Sequence, residues 1–453
     1  MNETTLRRVG IPVVLLLIVW FIFSLSAHRS MQYDESFTFL RYAQSPLVAL
    51  FAYELPNNHL LHSFGVWLMT SIMGDSIIAI RSVSMASGLL CVAVLFRITR
   101  RIAGIEAGTL AVAVMMIMPM WAEMVANARG YTLSALLTLL FVGELLGTSS
   151  RYWFPNSRLL LVLTVLLTLT LPTMVLLIAA ALIWVLLRMW RGDPRRRLVD
   201  TAILPIIVGT VIGGVFYMSV FVYGHASAFG GFGEASIVEL IIGWTTQIFA
   251  MPLALVLLVG IVVGIAVLWK RNWDLLILCS IIVGVALTFS IVQDVVTGRT
   301  FFARNFFYLI PLTALVAGVG LARSIRAVPM VSDVTATFLL MSSAVLFVGL
   351  NKSTPLERFT LEVGKRIRPD DLLLVDCCYD APLMYVYRAT PELFTYSPDK
   401  RRAIFVVPKR ESTAGIPELF SDQLPLDLSS CHPENWGETQ VEICMLMAAP
   451  VDG

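Results

Sequence analysis

The chain has 453 residues, of which 57% are hydrophobic and only 14% are charged. Its formal net charge is +2, with basic residues in short clusters, which argues against a nucleic-acid partner. Repeated apolar runs of about 20 residues predict a polytopic helical membrane protein. Neither a Walker loop nor a dinucleotide glycine fingerprint occurs, which argues against nucleotide hydrolysis.

Basic clusters between the apolar runs predict the topology, because Lys and Arg concentrate in cytoplasmic loops. Residues 11–27 could pass for a signal-peptide core, but we interpret them as an uncleaved first span with the amino terminus inside. Residues 59–73 are interpreted as a re-entrant or interfacial helix in the first outer loop, since a crossing there would place Arg97, Arg100 and Arg101 outside.

Eleven transmembrane crossings remain. They are predicted at residues 11–27, 77–96, 107–121, 131–148, 159–171, 173–190, 201–222, 244–268, 273–292, 305–321 and 330–350. The run 159–190 is divided at Pro172, because it is too long for one ordinary span. A single long, kinked helix is the competing interpretation, and it would reverse the downstream topology.

Two domains are expected, residues 1–350 in the membrane and residues 351–453 as a small α/β domain outside it. The segment DDLLLVDCCYDAPLMYVY reads as a strand, a loop and a helix, and RRAIFVVPKR reads as a second strand. An outside location permits disulfides. The simplest expectation is one or two bridges from Cys377 and Cys378 to Cys431 and Cys444, with free thiols as the alternative.

Charged residues at the predicted outer boundary are candidates for chemistry, because charge there is expensive. Asp34 or Glu35, just after the first span, could act as a general base, or could cap a helix. The planar guanidinium groups of Arg129, Arg299 and Arg304 could each hold a lipid phosphate, or could simply extend to the interface.

His59 and His62 are three residues apart, so on a helix they share a face. They could bind a cation together with Glu35 or another carboxylate, or they could form hydrogen bonds, either to a substrate or within the structure. Their spacing is not specific to a metal site. His59 follows Asn57 and Asn58, where a turn would direct polar groups to one place.

Several segments in a fixed order carry a resemblance across residues 1–350. They are YDESF, NNHLLHSFGVWLM, IIAIRSVSMASGLLCVAVLFRITRR, ARGYTLSALL and ARNFFYLIPL. In this order they resemble the C-type membrane glycosyltransferases that use polyprenyl-phosphate sugars, in the branch of protein O-mannosyltransferases and the lipid A aminoarabinose transferase. The family's proline pair is missing after Asn57, Asn58 and His59.

The resemblance implies a glycosyltransferase that moves a hexose or pentose from a polyprenyl-phosphate donor to an acceptor hydroxyl on a lipid, glycan or protein. The reaction would take place on the extracytoplasmic face of a plasma membrane of bacterial type. Asp34 would be the catalytic base, Glu35 a supporting or metal-binding residue, and Arg129 and Arg304 donor-phosphate ligands.

The complete set of predicted site residues extends these roles. It comprises Asp34 and Glu35 as catalytic residues, and Asn58, His59, Arg129, Tyr131, Arg299 and Arg304 as residues that bind substrate or lipid phosphate. A divalent metal cofactor is left open, with Glu35 and His59 as candidate ligands. The alternative functions are a transporter or lipid flippase, or a noncatalytic lipid-binding or assembly protein with the same fold.

Overall fold

A computed structural model gives the fold of most of the chain. It describes residues 20–24, 26–27, 29–53, 58–146, 155–218, 220, 236–242, 254–297, 303–327, 355–375, 379–406, 416–421, 423–436 and 439–447. By its internal contacts the chain divides into two units. The membrane unit comprises Met1–His28 and Tyr42–Leu350, and the C-terminal unit comprises Arg29–Arg41 and Asn351–Gly453.

Helix α1 (Tyr33–Arg41) comes early in the chain but belongs to the C-terminal unit. All following helices up to α13 belong to the membrane unit. They are α2 (Pro46–Phe51), α3 (Leu60–Met73), α4 (Ile77–Ala103), α5 (Ile105–Met116), α6 (Pro119–Val125), α7 (Tyr131–Leu146), α8 (Ser157–Thr170), α9 (Met174–Trp190), α10 (Arg195–Val215), α11 (Ala254–Arg271), α12 (Trp273–Thr297) and α13 (Leu309–Ala327).

The length and composition of these helices identify an integral membrane protein. Helices α4, α10 and α12 are long and apolar enough to cross a membrane, and the bent pair α5 and α6 would make a fourth span. Shorter apolar helices are α3, α7, α8, α9 and Leu309–Ile325 within α13. Most of the predicted first crossing and all of the predicted last crossing lie outside the described residues.

Prolines mark two breaks in the helices, one between two predicted crossings and one inside a predicted crossing. The expected interruption at Pro172 is present, because α8 ends at Thr170, Leu171 is extended and α9 begins at Met174. The span predicted at residues 107–121 is not continuous, since α5 and α6 meet at an angle of 76°. Met118, which precedes Pro119, is extended for the same steric reason.

Glycines permit a close approach between α11 and α13. A Cβ added to Gly264 of α11 would collide with the backbone carbonyl of Val316, whose carbon would be 2.9 Å away. A Cβ on Gly320 would collide with the carbonyl oxygen of Gly260. Gly260 and Gly264 form a small-xxx-small pair, which lets helix backbones pack at short distance in a membrane.

The C-terminal unit contains the expected α/β fold. Its elements after α1 are α14 (Pro355–Arg366), β1 (Asp371–Val375), α15 (Asp380–Val386), β2 (Arg402–Val406), α16 (Ile416–Phe420), β3 (Leu426–Trp436) and β4 (Thr439–Leu446). The sheet order is β1-β2-β4-β3, with β1 and β2 parallel and the other pairs antiparallel. Asp371 and Arg402 are register partners and form a bidentate ion pair at 2.7 and 2.8 Å.

The predicted disulfide pairing, from Cys377 or Cys378 to Cys431 or Cys444, is wrong. Cys431 on β3 bonds to Cys444 on β4, with their Cα atoms 4.2 Å apart. Adjacent antiparallel strands bring such residues together, whereas separation in sequence says little about which cysteines will meet. Cys377 and Cys378 lie outside the described residues.

Candidate active site

The two neighbouring carboxylates at the start of α1 have different environments. Gln32 precedes the first residue of the helix, and its backbone N–H donates to Oε2 of buried Glu35 at 2.8 Å. This is the glutamate half of a capping box, so Glu35 stabilises the start of the helix. Asp34 lies beside it in the first turn and is only half-buried. The capping interpretation therefore applies to Glu35.

His59, in the loop before α3, holds the backbone of the segment that leads into α7. The backbone N–H of Gly130 donates to His59 Nδ1 at 2.7 Å. Because Nδ1 accepts this bond, the neutral ring carries its proton on Nε2. Burial, followed by the positive charge of Arg129 and a smaller effect of Arg304, lowers the pKa of His59 well below its usual value.

Ser84 of α4 holds Arg129 from the other side. Its Oγ donates to the backbone carbonyl of Arg129 at 3.0 Å and accepts from the backbone N–H of Arg129 at 3.2 Å. His62 Nε2 lies 2.9 Å from Ser84 Oγ. Since the hydroxyl proton is donated to Arg129, His62 must donate its own Nε2 proton. Thr132 Oγ1 donates to the Ser84 carbonyl at 3.1 Å.

Aromatic rings connect this segment with the segment that contains Arg304. Tyr131 meets His59 edge to face at 5.0 Å between ring centroids, and its ring centroid lies 6.2 Å from that of Phe307. Phe307 follows a short 3₁₀ helix (Ala303–Phe306) that carries half-buried Arg304. The structure thus gathers His59, Arg129, Tyr131 and the charge of Arg304 in one region.

Asn58 makes internal contacts with both groups of its side-chain amide. Nδ2 donates to the carbonyls of Ala49 and Ala52 at 3.2 and 2.5 Å, and Oδ1 accepts from Ser63 Oγ at 2.6 Å. These bonds join the end of α2 to the first turn of α3. These contacts give Asn58 a structural role, because both amide protons are used, and its binding of substrate stays a prediction.

An apolar cavity of about 190 Å³ begins beside the 3₁₀ helix. Its lining residues come from residues 236–242, α12, the 3₁₀ helix and α13. They are Leu240, Val283, Ala286, Leu287, Ser290, Phe306, Leu309 and Thr313. Phe306, which lines this cavity, lies on the same short helix as Arg304, and an apolar cavity of this kind suits a hydrocarbon tail.

One buried cation was not singled out by the sequence analysis. Arg81 on α4 is fully buried, and its Nη1 donates to the carbonyl of Ser26 at 2.7 Å. An arginine inside a long apolar helix is itself a sequence signal, since burying its charge in a membrane is costly. Ser84, one turn further along α4, gave no comparable signal.

The predicted metal ligands are engaged in other contacts. His59 Nδ1 accepts from Gly130, and Glu35 Oε2 accepts from Gln32. Within the described ranges, no three His, Cys, Asp or Glu side chains are arranged to hold a metal ion. Arg299, predicted to bind phosphate, lies outside those ranges.

Comparisons with known proteins place these features in a family context. Residues 56–212 match the model of the family described as dolichyl-phosphate-mannose-protein mannosyltransferase. A comparison with curated protein sequences gives no match.

Solved structures with similar folds cover nearly the whole chain. ArnT from Cupriavidus metallidurans in the apo state has a TM-score of 0.60 at 15% identity, covering 98% of this chain and 99% of that one. The same protein bound to undecaprenyl phosphate has a TM-score of 0.61 at 14% identity, covering 97% and 98%. An Archaeoglobus fulgidus oligosaccharyltransferase has a TM-score of 0.51 at 10% identity, covering 85% and 64%.

These likenesses agree with the order of segments from YDESF to ARNFFYLIPL, and they confirm the resemblance predicted from it. The chain has the fold of ArnT along nearly its whole length, and its residues 56–212 match the model of the dolichyl-phosphate-mannose-protein mannosyltransferase family.

Proposed function

We propose that this protein is a membrane glycosyltransferase that moves a sugar from a polyprenyl-phosphate donor to an acceptor hydroxyl. The observation that carries this proposal is the buried Arg129, whose backbone is held by Ser84 and whose neighbour Gly130 is held by His59. A buried guanidinium held in one position suits a phosphate ligand. The charge of Arg304 and the adjacent apolar cavity add a second cation and room for part of an isoprenoid chain.

The reaction would be a single displacement with inversion at the anomeric carbon. The acceptor oxygen attacks that carbon while the bond from the carbon to the phosphate oxygen breaks. Asp34 takes the proton of the acceptor hydroxyl, and polyprenyl phosphate leaves with the bonding electrons. Arg129 and Arg304 stabilise the charge that develops on the leaving phosphate, and cationic groups fixed in advance are most effective at that step.

The acceptor side of the reaction would lie on the extracytoplasmic face. The proposed topology has eleven crossings with the amino terminus inside and the C-terminal unit outside. The disulfide between Cys431 and Cys444 supports this orientation, because disulfides persist in oxidising compartments. Arg299 is proposed as a further phosphate ligand, and a hexose or a pentose would both fit the chemistry.

The first experiment measures release of polyprenyl phosphate by the purified protein from a panel of polyprenyl-phosphate sugars. Asp34→Asn, which removes the base but keeps the side-chain shape, should abolish release. Asp274→Asn is a matched control, since Asp274 is exposed and its 3.5 Å ion pair with Arg191 contributes little. Native release by Asp34→Asn would contradict the assigned base.

Arg129→Ala tests the phosphate site in the same assay and in a separate binding assay. We expect it to weaken both donor binding and turnover, because the leaving phosphate loses a cation. Binding of polyprenyl phosphate without transfer from any donor and acceptor would instead favour a transporter or flippase. Tight binding by Arg129→Ala would refute the proposed phosphate site.

A further inference from the structure

The helix that carries Asp34 and Glu35 cannot position itself. Helix α1 has only nine residues, and an isolated helix shorter than about 12 residues is marginally stable in water. Its capping contact from Gln32 to Glu35 specifies where the helix begins, but not where it lies. The location of Asp34 therefore depends on what α1 packs against.

That partner is α15 of the C-terminal unit, more than 300 residues further along the sequence. Phe39 of α1 meets Tyr385 of α15 edge to face, with ring centroids 5.7 Å apart and ring planes at 84°. Both side chains are only 4% exposed. Perpendicular aromatic pairs of this kind favour one relative orientation, in addition to the apolar area that they bury.

Tyr385 is itself held from a second direction. The guanidinium of Arg388 lies 4.4 Å from the centre of the Tyr385 ring, and its Nη1 donates to the Tyr385 backbone carbonyl at 2.8 Å. A cation over the ring face and an aromatic ring in perpendicular contact leave Tyr385 little freedom. The aromatic surface offered to Phe39 is consequently rigid.

We propose that Tyr385, supported by Arg388, is a positioning residue for the reaction, because it holds α1 and thereby sets the location of Asp34. The C-terminal unit, which contains both α1 and α15, then has a role in turnover. This inference rests on the proposed function for its kinetic consequence. The docking of α1 on α15 does not depend on that function.

The kinetic test uses the full-length protein with Tyr385→Ala. We expect kcat to fall about 10- to 100-fold, since a misplaced catalytic group is costly, while KM for the donor stays near native. Phe39→Ala should have the same effect, and the double variant should be no worse than either single variant. Tyr385→Phe keeps the ring contact and should restore kcat.

The control is Phe420→Ala in the same unit. Phe420 pairs with Phe405 at 5.5 Å between ring centroids, so this variant also removes one ring from an aromatic pair. It should leave kcat near native. An equal loss of kcat in Phe420→Ala would overturn the inference, because the effect would then reflect general damage to the unit.

Hydrogen exchange of residues 33–41 provides a readout that needs no activity. Exchange should be faster in Tyr385→Ala than in the native protein, and unchanged in Tyr385→Phe and Phe420→Ala. If the native protein releases polyprenyl phosphate through Asp34 while Tyr385→Ala keeps native kcat, the positioning role is refuted and the proposed function stands. If no donor is used at all, the proposed function fails, and unchanged exchange would also refute the docking.

Discussion

Replacing Ser84 with alanine tests how firmly the backbone of Arg129 must be held. The Ser84 hydroxyl is the partner of three buried groups, namely the N–H and the carbonyl of Arg129 and the Nε2 of His62. Alanine removes all three bonds without adding volume. Each of the three groups that loses this partner costs about 1 kcal/mol, so the native arrangement around Arg129 should be destabilised by about 3 kcal/mol.

Part of this cost should appear in ligand affinity. If the backbone of Arg129 must be in its native position to bind phosphate, some of the binding free energy is used to restore that position. The full ~3 kcal/mol therefore sets an upper limit of about 150-fold on the loss of affinity. We expect the dissociation constant of polyprenyl phosphate to rise about 10- to 100-fold in Ser84→Ala. Equilibrium binding of radiolabelled polyprenyl phosphate to protein in nanodiscs measures this change.

Ser87→Ala is the matched control for this experiment. Ser87 is buried on the same helix, one turn further along, and lies outside the bonds that hold Arg129. Its replacement should leave affinity within about twofold of native. The reasoning is refuted if Ser84→Ala binds polyprenyl phosphate as tightly as Ser87→Ala while Arg129→Ala abolishes binding.

Three further predictions concern other parts of the chain. Gly264→Ala should destabilise the membrane unit by about 1–3 kcal/mol through overpacking, whereas Gly284→Ala adds its methyl group in open space and should not. Thermal unfolding in detergent compares the two variants. Equal melting temperatures would contradict the close packing at Gly264. Glu35→Gln should retain the cap and most turnover, unlike Asp34→Asn, so an inactive Glu35→Gln would show that the charge is needed. Hydrogen bonding from Trp436, followed by the charge of Arg366, lowers the pKa of Glu434 below its ordinary 4.5. The ionised Glu434 should therefore stabilise the folded C-terminal unit fully above pH 4.5, and this stabilisation should disappear as the pH falls through the lowered pKa. Glu434→Gln should be less stable than the native protein near neutral pH but not in acid. A stability difference that persists in acid would contradict this.

The sequence alone was enough to select candidate site residues by their local chemistry. Asp34, Glu35, Arg129 and Arg304 stand out because charged residues beside an apolar span are rare. Ser84 could not be predicted in this way. A serine inside an apolar helix is common, and its importance arises only because α4 and the segment before α7 meet there.

Glu35 shows how a local pattern can leave the role of a residue open. The adjacent pair Asp34 and Glu35 could contain either a catalytic carboxylate or a helix cap, because either role is compatible with a position just after an apolar span. The bond from Gln32 to Glu35 assigns the cap to the second residue. Bond geometry of this kind depends on backbone dihedral angles, which the identity of two neighbouring residues does not specify.

The sequence by itself determined that this is a helical membrane protein followed by a small α/β unit, because hydrophobic run length and periodicity follow directly from the order of residues. Tertiary structure decided which distant segments meet. It joined α1 to α15, Cys431 to Cys444 and Ser84 to Arg129, none of which are neighbours in the chain. Such contacts depend on the packing of whole helices and the register of strands, and single residues do not encode them.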